Sequence, residues 1–156
     1  MTMVEGGESR WAGRSRAREA ALQMLYQMEV GQLTAPEASR AHRATERSDA
    51  IQLDDEGRAY AEAMAVGAWN ERATLDARIA EAARNWRVER MAVLDRLVLR
   101  LAVHELMHHP ETPPRVAIDE AIDLARSYSG DDAAKFVNGV LDGIYRKLKE
   151  EGSIVD

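Results

Sequence analysis

His104, Glu105 and His108 spell H-E-x-x-H. On a helix, two imidazoles one turn apart can bind zinc while the glutamate activates water, which is the chemistry of a metal hydrolase. The motif lies in an apolar segment expected to be helical, so its local context is met. A hydrolase also needs a third ligand and an open cleft. Glu111, Asp119, Glu120 and Asp123 are acids nearby in the chain, and no spacing singles one of them out. Glu105 falls among apolar positions, and no strand pattern offers a sheet beside which a peptide could lie. His104 is therefore read as a partly buried helix residue and His108 with His109 as the polar end of that helix. No metal, cofactor or catalytic residue is expected.

A second constellation is cationic. Arg10, Arg14, Arg16 and Arg18 fall within nine residues that contain no acid. Guanidinium groups beside a helix N-terminus, with its free amide donors, would suit phosphate oxygens. The ordinary alternative is the solvated start of a charged helix. With 21 basic and 27 acidic residues the formal charge is -6, so nucleic acid could be held only by a local patch. A short arm with few side chains suits a single strand better than a duplex. Tyr26 and Phe136 are the candidate stacking rings, although Phe136 is also at core spacing with Val140 and Tyr26 could cover a helix seam.

Acids supply the third set. Asp95 interrupts an apolar run, so its carboxylate must either pair with a cation or emerge at an edge and accept from a ligand. Asp131 and Asp132 crowd a helix start together with Lys135, a mixed patch that could accept base amino groups or receive a basic protein. Asp119, Glu120 and Asp123 are first explained by the favourable charge at a helix N-terminus. No phosphate-cradling glycine loop, serine elbow or dinucleotide fingerprint is present.

The elements that must position these groups are helices. The chain has 156 residues, is 46% apolar and only 5% aromatic, and has no cysteine. That excludes disulfides and thiolate sites and disfavours a sandwich or barrel. The start lacks an apolar core of signal-peptide length and no apolar run reaches membrane-spanning length, so a cytoplasmic location is expected. Residues 1–13 read as a flexible polar arm, 14–149 as the helical domain and 150–156 as a frayed tail. Ala17, Ala20, Ala21, Met24, Leu25 and Met28 recur at helical spacing, and Gly31 can end that helix. A polar helix follows Thr34 and Pro36 to about Ser48, and Asp54 can cap the next, with a break near Asn70. From Val88 to Met107 almost no polar face remains, which predicts a central helix enclosed by others. Pro110, Pro113 and Pro114 stop it, and two further helices meet at Gly130. The sum is about six or seven helices.

Two segments carry a family resemblance. GRSRAREAALQMLYQMEVG, residues 13–31, resembles the opening helix of NusB proteins, and residues 95–148, containing IDEAIDLA and KFVNGVLD, resemble their C-terminal half. The resemblance implies an all-α, NusB-like fold of about seven helices in two perpendicular subdomains. It also implies a non-enzymatic transcription antitermination factor that binds the boxA element of ribosomal RNA transcripts. NusE, the small-ribosomal-subunit protein, is then the partner, with NusA, NusG and RNA polymerase in the larger complex. On that basis Arg14, Arg16, Arg18, Tyr26, Lys135 and Phe136 are expected to contact RNA, and Asp95 and Asp132 to face RNA or NusE.

The sequence departs from the family where Ser15 interrupts the arginine run and where His104 replaces an aromatic. Residues 32–55 have little that matches. The rival readings are a NusB-like structural or homodimerising module and an H-E-x-x-H zinc hydrolase. A methyltransferase carrying such a domain is not expected, because these 156 residues leave no room for a cofactor-binding sheet.

Overall fold

The computed structural model describes the backbone of residues 2–46, 53–84 and 86–154, with side chains from residue 14 onward. Seven α-helices and one 3-10 turn make up the regular structure, with no strand among the described residues. They are α1 (Thr2–Glu29), α2 (Ala35–Thr45), α3 (Asp55–Asn70), α4 (Arg72–Ala82), the 3-10 turn Val88–Arg90, α5 (Val93–His108), α6 (Pro114–Ser129) and α7 (Asp131–Glu150). Among the described residues no helix is long and apolar enough to cross a membrane. The chain divides into two compact units, residues 1–66 and 67–156.

In the first unit, Ala17, Ala20, Ala21, Met24, Leu25 and Met28 of α1 are all buried, as their spacing predicts. The helix α2 packs on α1 and starts with a capping box. Thr34 Oγ1 accepts from the Glu37 amide at 3.3 Å while the Thr34 amide donates to Glu37 Oε1 at 2.9 Å. Asp54 caps α3, its Oδ1 accepting from the Gly57 amide at 2.7 Å. Ser39 donates to Glu62 at 2.5 Å, and the buried Arg58 bonds Glu46 and also His42 Nδ1, the latter at 2.9 Å. A core rich in alanine thus gains its lateral specificity from polar contacts.

In the second unit α5 is the hub, packed against α4, α6 and α7. Its residues Leu97–Leu106 are buried without interruption, which the apolar run predicts. Arg100 lies within that stretch and makes a fork-like pair with Asp76 of α4, its Nε and Nη2 donating at 2.8 and 2.7 Å. Gly130 joins α6 to α7 at φ 94°, a value that side chains strongly disfavour.

The helix α1 begins at Thr2, so the backbone of residues 2–13 is helical; extending an existing helix is far easier than nucleating one. The polar helix expected to reach Ser48 ends at Thr45, and Ser48 itself lies outside the described residues. Beyond α7 the chain is hydrogen-bonded as far as Ser153. The Ser153 amide reaches Leu148 O at 2.9 Å and the Gly152 amide reaches Lys149 O at 3.0 Å, a Schellman closure with Gly152 at φ 74°. Arg78 adds an ion pair to Glu151 at 2.8 Å.

Burial pushes the His42 imidazole below its ordinary value, Arg58 adds to the lowering, and Glu19 acts against it. A folded state that resists protonation binds fewer protons than the unfolded chain. Its stability is therefore full above about pH 6.5 and is lost as pH falls toward the lowered value. Urea midpoints measured between pH 7.5 and 5 should decline, and His42→Gln should flatten that decline.

Candidate nucleic-acid interface

The arginines of α1 are not equivalent. Arg14 is half-buried with its guanidinium 4.2 Å from the centre of the Tyr60 ring, a cation–π contact. Arg16 is also half-buried, and its Nε finds no hydrogen-bond partner among the described residues. Arg18 is 3% exposed, 6.0 Å from the same ring, and offers almost no surface. The side chain of Arg10 lies outside the described residues. Because α1 starts at Thr2, these arginines sit well inside the helix, where backbone amides are already used. The free amide donors expected beside them are therefore absent, and any anion must be met by side chains alone.

Tyr26 is exposed, 12 residues beyond Arg14 on the same helix, roughly 18 Å at about 1.5 Å per residue. It does not share the arginines' neighbourhood within α1. The ring that does is Tyr60, which sequence reading passed over because nothing in its local spacing links residues 14 and 60.

In the second unit, Asp95, Asp132 and Phe136 do come together. They line a hollow of about 410 Å³ with Trp86, Arg90 and Ser129. Three helix termini build it. Asp95 is in the first turn of α5, Ser129 closes α6 and Asp132 opens α7. A second hollow of about 380 Å³ adjoins it, lined by Lys135, Phe136, Trp86 and Arg84. Trp86 and Phe136 belong to both, edge to face with centroids 5.9 Å apart. Trp86 is 58% exposed, which a tryptophan adopts at a cost unless something covers it. Sequence reading did not select it, although a tryptophan beyond the last apolar-periodic residue of its helix was a usable signal.

Asp95 is the electrostatic centre of this hollow. Its Oδ1 is buried and has no hydrogen-bond partner among the described residues, while Ser129 donates to the carboxylate. Burial raises the Asp95 carboxyl above its ordinary value and the Ser129 hydrogen bond opposes that rise. A buried acceptor lacking a donor is a place where a ligand's N–H gains more than it would on open surface. Arg126 does not serve that role: it pairs with Asp123 and Asp131, each at 3.3 Å, across the turn between α6 and α7.

At the far end of α5 the H-E-x-x-H residues meet a partner that sequence did not suggest. Glu71, at the break between α3 and α4, presents Oε2 to His104 Nδ1 at 3.2 Å and to His108 Nε2 at 2.9 Å. None of Glu111, Asp119, Glu120 or Asp123 takes that position; Glu111 instead pairs with His109 at 3.1 Å. Burial lowers the His104 imidazole, the Glu71 hydrogen bond raises it, and His108 and His109 lower it further. Glu105 is 1% exposed, so it cannot activate water for an incoming substrate.

The chain is similar to known proteins over most of its length. The NusB family model matches residues 15–146. The transcription antitermination protein NusB of Sorangium cellulosum is 47% identical over 136 residues, covering 86% of this chain and 93% of that protein. Its counterpart from Symbiobacterium thermophilum is 41% identical over 140 residues, covering 87% of this chain and 91% of that protein. A crystal structure of antitermination factors NusB and NusE in complex with double-stranded RNA superposes with a TM-score of 0.76 at 26% identity. The match covers 87% of this chain and 98% of that one.

The raised Asp95 carboxyl has a testable sign. A folded state that holds this proton more tightly loses stability as pH rises from the ordinary aspartate value of 3.8. Asp95→Asn should therefore raise the urea midpoint at pH 7, and the gain should shrink as pH falls toward 3.8.

Proposed function

The chain belongs to the NusB family, and we propose that it is a non-enzymatic antitermination factor that binds boxA RNA of ribosomal transcripts jointly with NusE. The observation that carries this reading is the hollow at Asp95, where an unpartnered buried acceptor stands beside two aromatic rings. That combination suits an unstacked base, whose amino group can donate to the carboxylate while its face meets Phe136 or Trp86. Asp132 extends the acceptor edge toward a basic group of RNA or of NusE, and Lys135 is placed to meet a phosphate. NusB relatives named as antitermination proteins, and a solved NusB complex holding both NusE and RNA, support the same reading.

On α1, Arg14 and Arg16 are the residues with surface to offer phosphate, and Arg18 acts from beneath by supporting the helix face that carries them. Tyr26 and Val30, exposed together at the end of α1, favour a protein contact there, with NusE or with a second copy. An acidic chain needs such focused cations, since its net charge of -6 repels RNA at long range. Binding to NusA, NusG and RNA polymerase then follows from membership of the larger antitermination complex.

The test is the equilibrium affinity for a short single-stranded boxA RNA, a scrambled strand and a boxA duplex at several salt concentrations, with and without NusE. Preference for the single boxA strand that tightens with NusE is expected; equal affinity for all three under both conditions would sink the reading. Removing two phosphate contacts by Arg14→Ala with Arg16→Ala should reduce the slope of log affinity against log salt by about 1.4. Phe136→Ala should cost about 1–3 kcal/mol of RNA binding if a base stacks there.

A further inference from the structure

We propose that Glu71, His104 and His108 form a binding site for a single zinc-like transition-metal ion, which ties the break between α3 and α4 to the end of α5. One ligand atom from each residue lies within 4.8 Å of the others. Glu71 Oε2 is 2.9 Å from His108 Nε2 and 3.2 Å from His104 Nδ1. An ion with bonds of about 2.0–2.2 Å in a tetrahedral shell sets neighbouring ligand atoms about 3.3 Å apart. Both Glu71 separations lie within about 0.4 Å of that spacing, and the two imidazole nitrogens are no more than 4.8 Å apart.

The arrangement has features that a chance cluster of surface acids lacks. Both imidazoles come from one face of a continuous helix, one turn apart, so their separation is set by helix geometry. The His104 ring is 6% exposed and cannot swing away. Gly67 of α3 makes its place, since a Cβ there would lie 2.3 Å from His104 Cε1. Glu71 and His108 remain partly exposed, at 36% and 41%, which leaves an entry path and a side open for water as a fourth ligand.

Two imidazoles and one carboxylate select a borderline ion such as Zn²⁺ or Co²⁺ over Mg²⁺ or Ca²⁺, which require more oxygen ligands. Although the residues spell a hydrolase signature, the buried Glu105 offers no base, so the ion's role is structural. The site and the Asp95 hollow occupy opposite ends of α5, 13 residues apart, or roughly 20 Å along the axis. Metal binding and RNA binding are therefore separately measurable.

The experiment is a calorimetric titration of the untagged full chain with ZnCl₂, repeated with Co²⁺ while its visible absorption is recorded. One equivalent of Zn²⁺ per chain is expected at a dissociation constant on the order of micromolar, with intense Co²⁺ bands that mark four-coordination. His108→Ala, at a half-exposed position, should weaken binding at least about tenfold while circular dichroism stays unchanged, and Glu71→Gln should do the same. His109→Ala lies outside the ligand set and should bind as the parent does. Absence of stoichiometric binding, or an affinity that survives His108→Ala, would overturn the site.

Discussion

Ten consecutive residues of α5, Leu97–Leu106, are buried, and three of them are Arg100, His104 and Glu105. A helix enclosed on all sides must supply a partner for every polar group it carries, because an unpaired charge in that setting costs several kcal/mol. Arg100 and His104, with His108 beyond them, repeat every four residues and form a stripe along one face. The acids that meet this stripe come from one neighbouring region: Asp76 of α4 faces Arg100, and Glu71 at the start of α4 faces both histidines. The register of α4 on α5 is thereby set by charge as well as by packing. Leu75 and Ile79, both fully buried on α4, fill the apolar part of the same unit.

The same constraint explains why partly desolvated polar groups stand at both ends of α5. Where the enclosure opens, a polar side chain can stay desolvated enough to bind strongly and yet remain reachable. Asp95 sits at one opening with an unpartnered oxygen, beside the turn at Gly130 that brings the ends of α6 and α7 to it. His108 sits at the other, half-exposed next to the buried His104. Neither arrangement depends on net charge. A chain at -6 can still engage an anion or donate a defined contact where geometry concentrates a few groups in low dielectric.

Much of the fold was legible along the chain because its signals are local. Thr34 and Pro36 announce a helix start, Asp54 announces a cap, and the run through Leu97–Leu106 announces an enclosed helix. The family resemblance also rested on contiguous stretches, and the match over residues 15–146 covers nearly all of both. Less was visible of the site. The grouping of Asp95, Asp132 and Phe136 followed from the resemblance, whereas Trp86, Ser129 and Tyr60 were not selected. Their importance arises from neighbours distant in sequence, which no periodic pattern encodes.

What the sequence alone determined is the helical class, the order of the elements, the enclosed status of α5 and the set of side chains available for chemistry. These follow from backbone propensity and from hydrophobic period, which act over one to four residues. Only the tertiary structure decided which of those side chains have a partner. It buried Arg18 and left Arg14 and Arg16 partly open; it paired Arg100 with Asp76; and it brought Glu71, 33 residues away, to His104 in place of every acid near the motif. The physical reason is that a polar group's role is set by its desolvation and its nearest charges, and both are properties of packing.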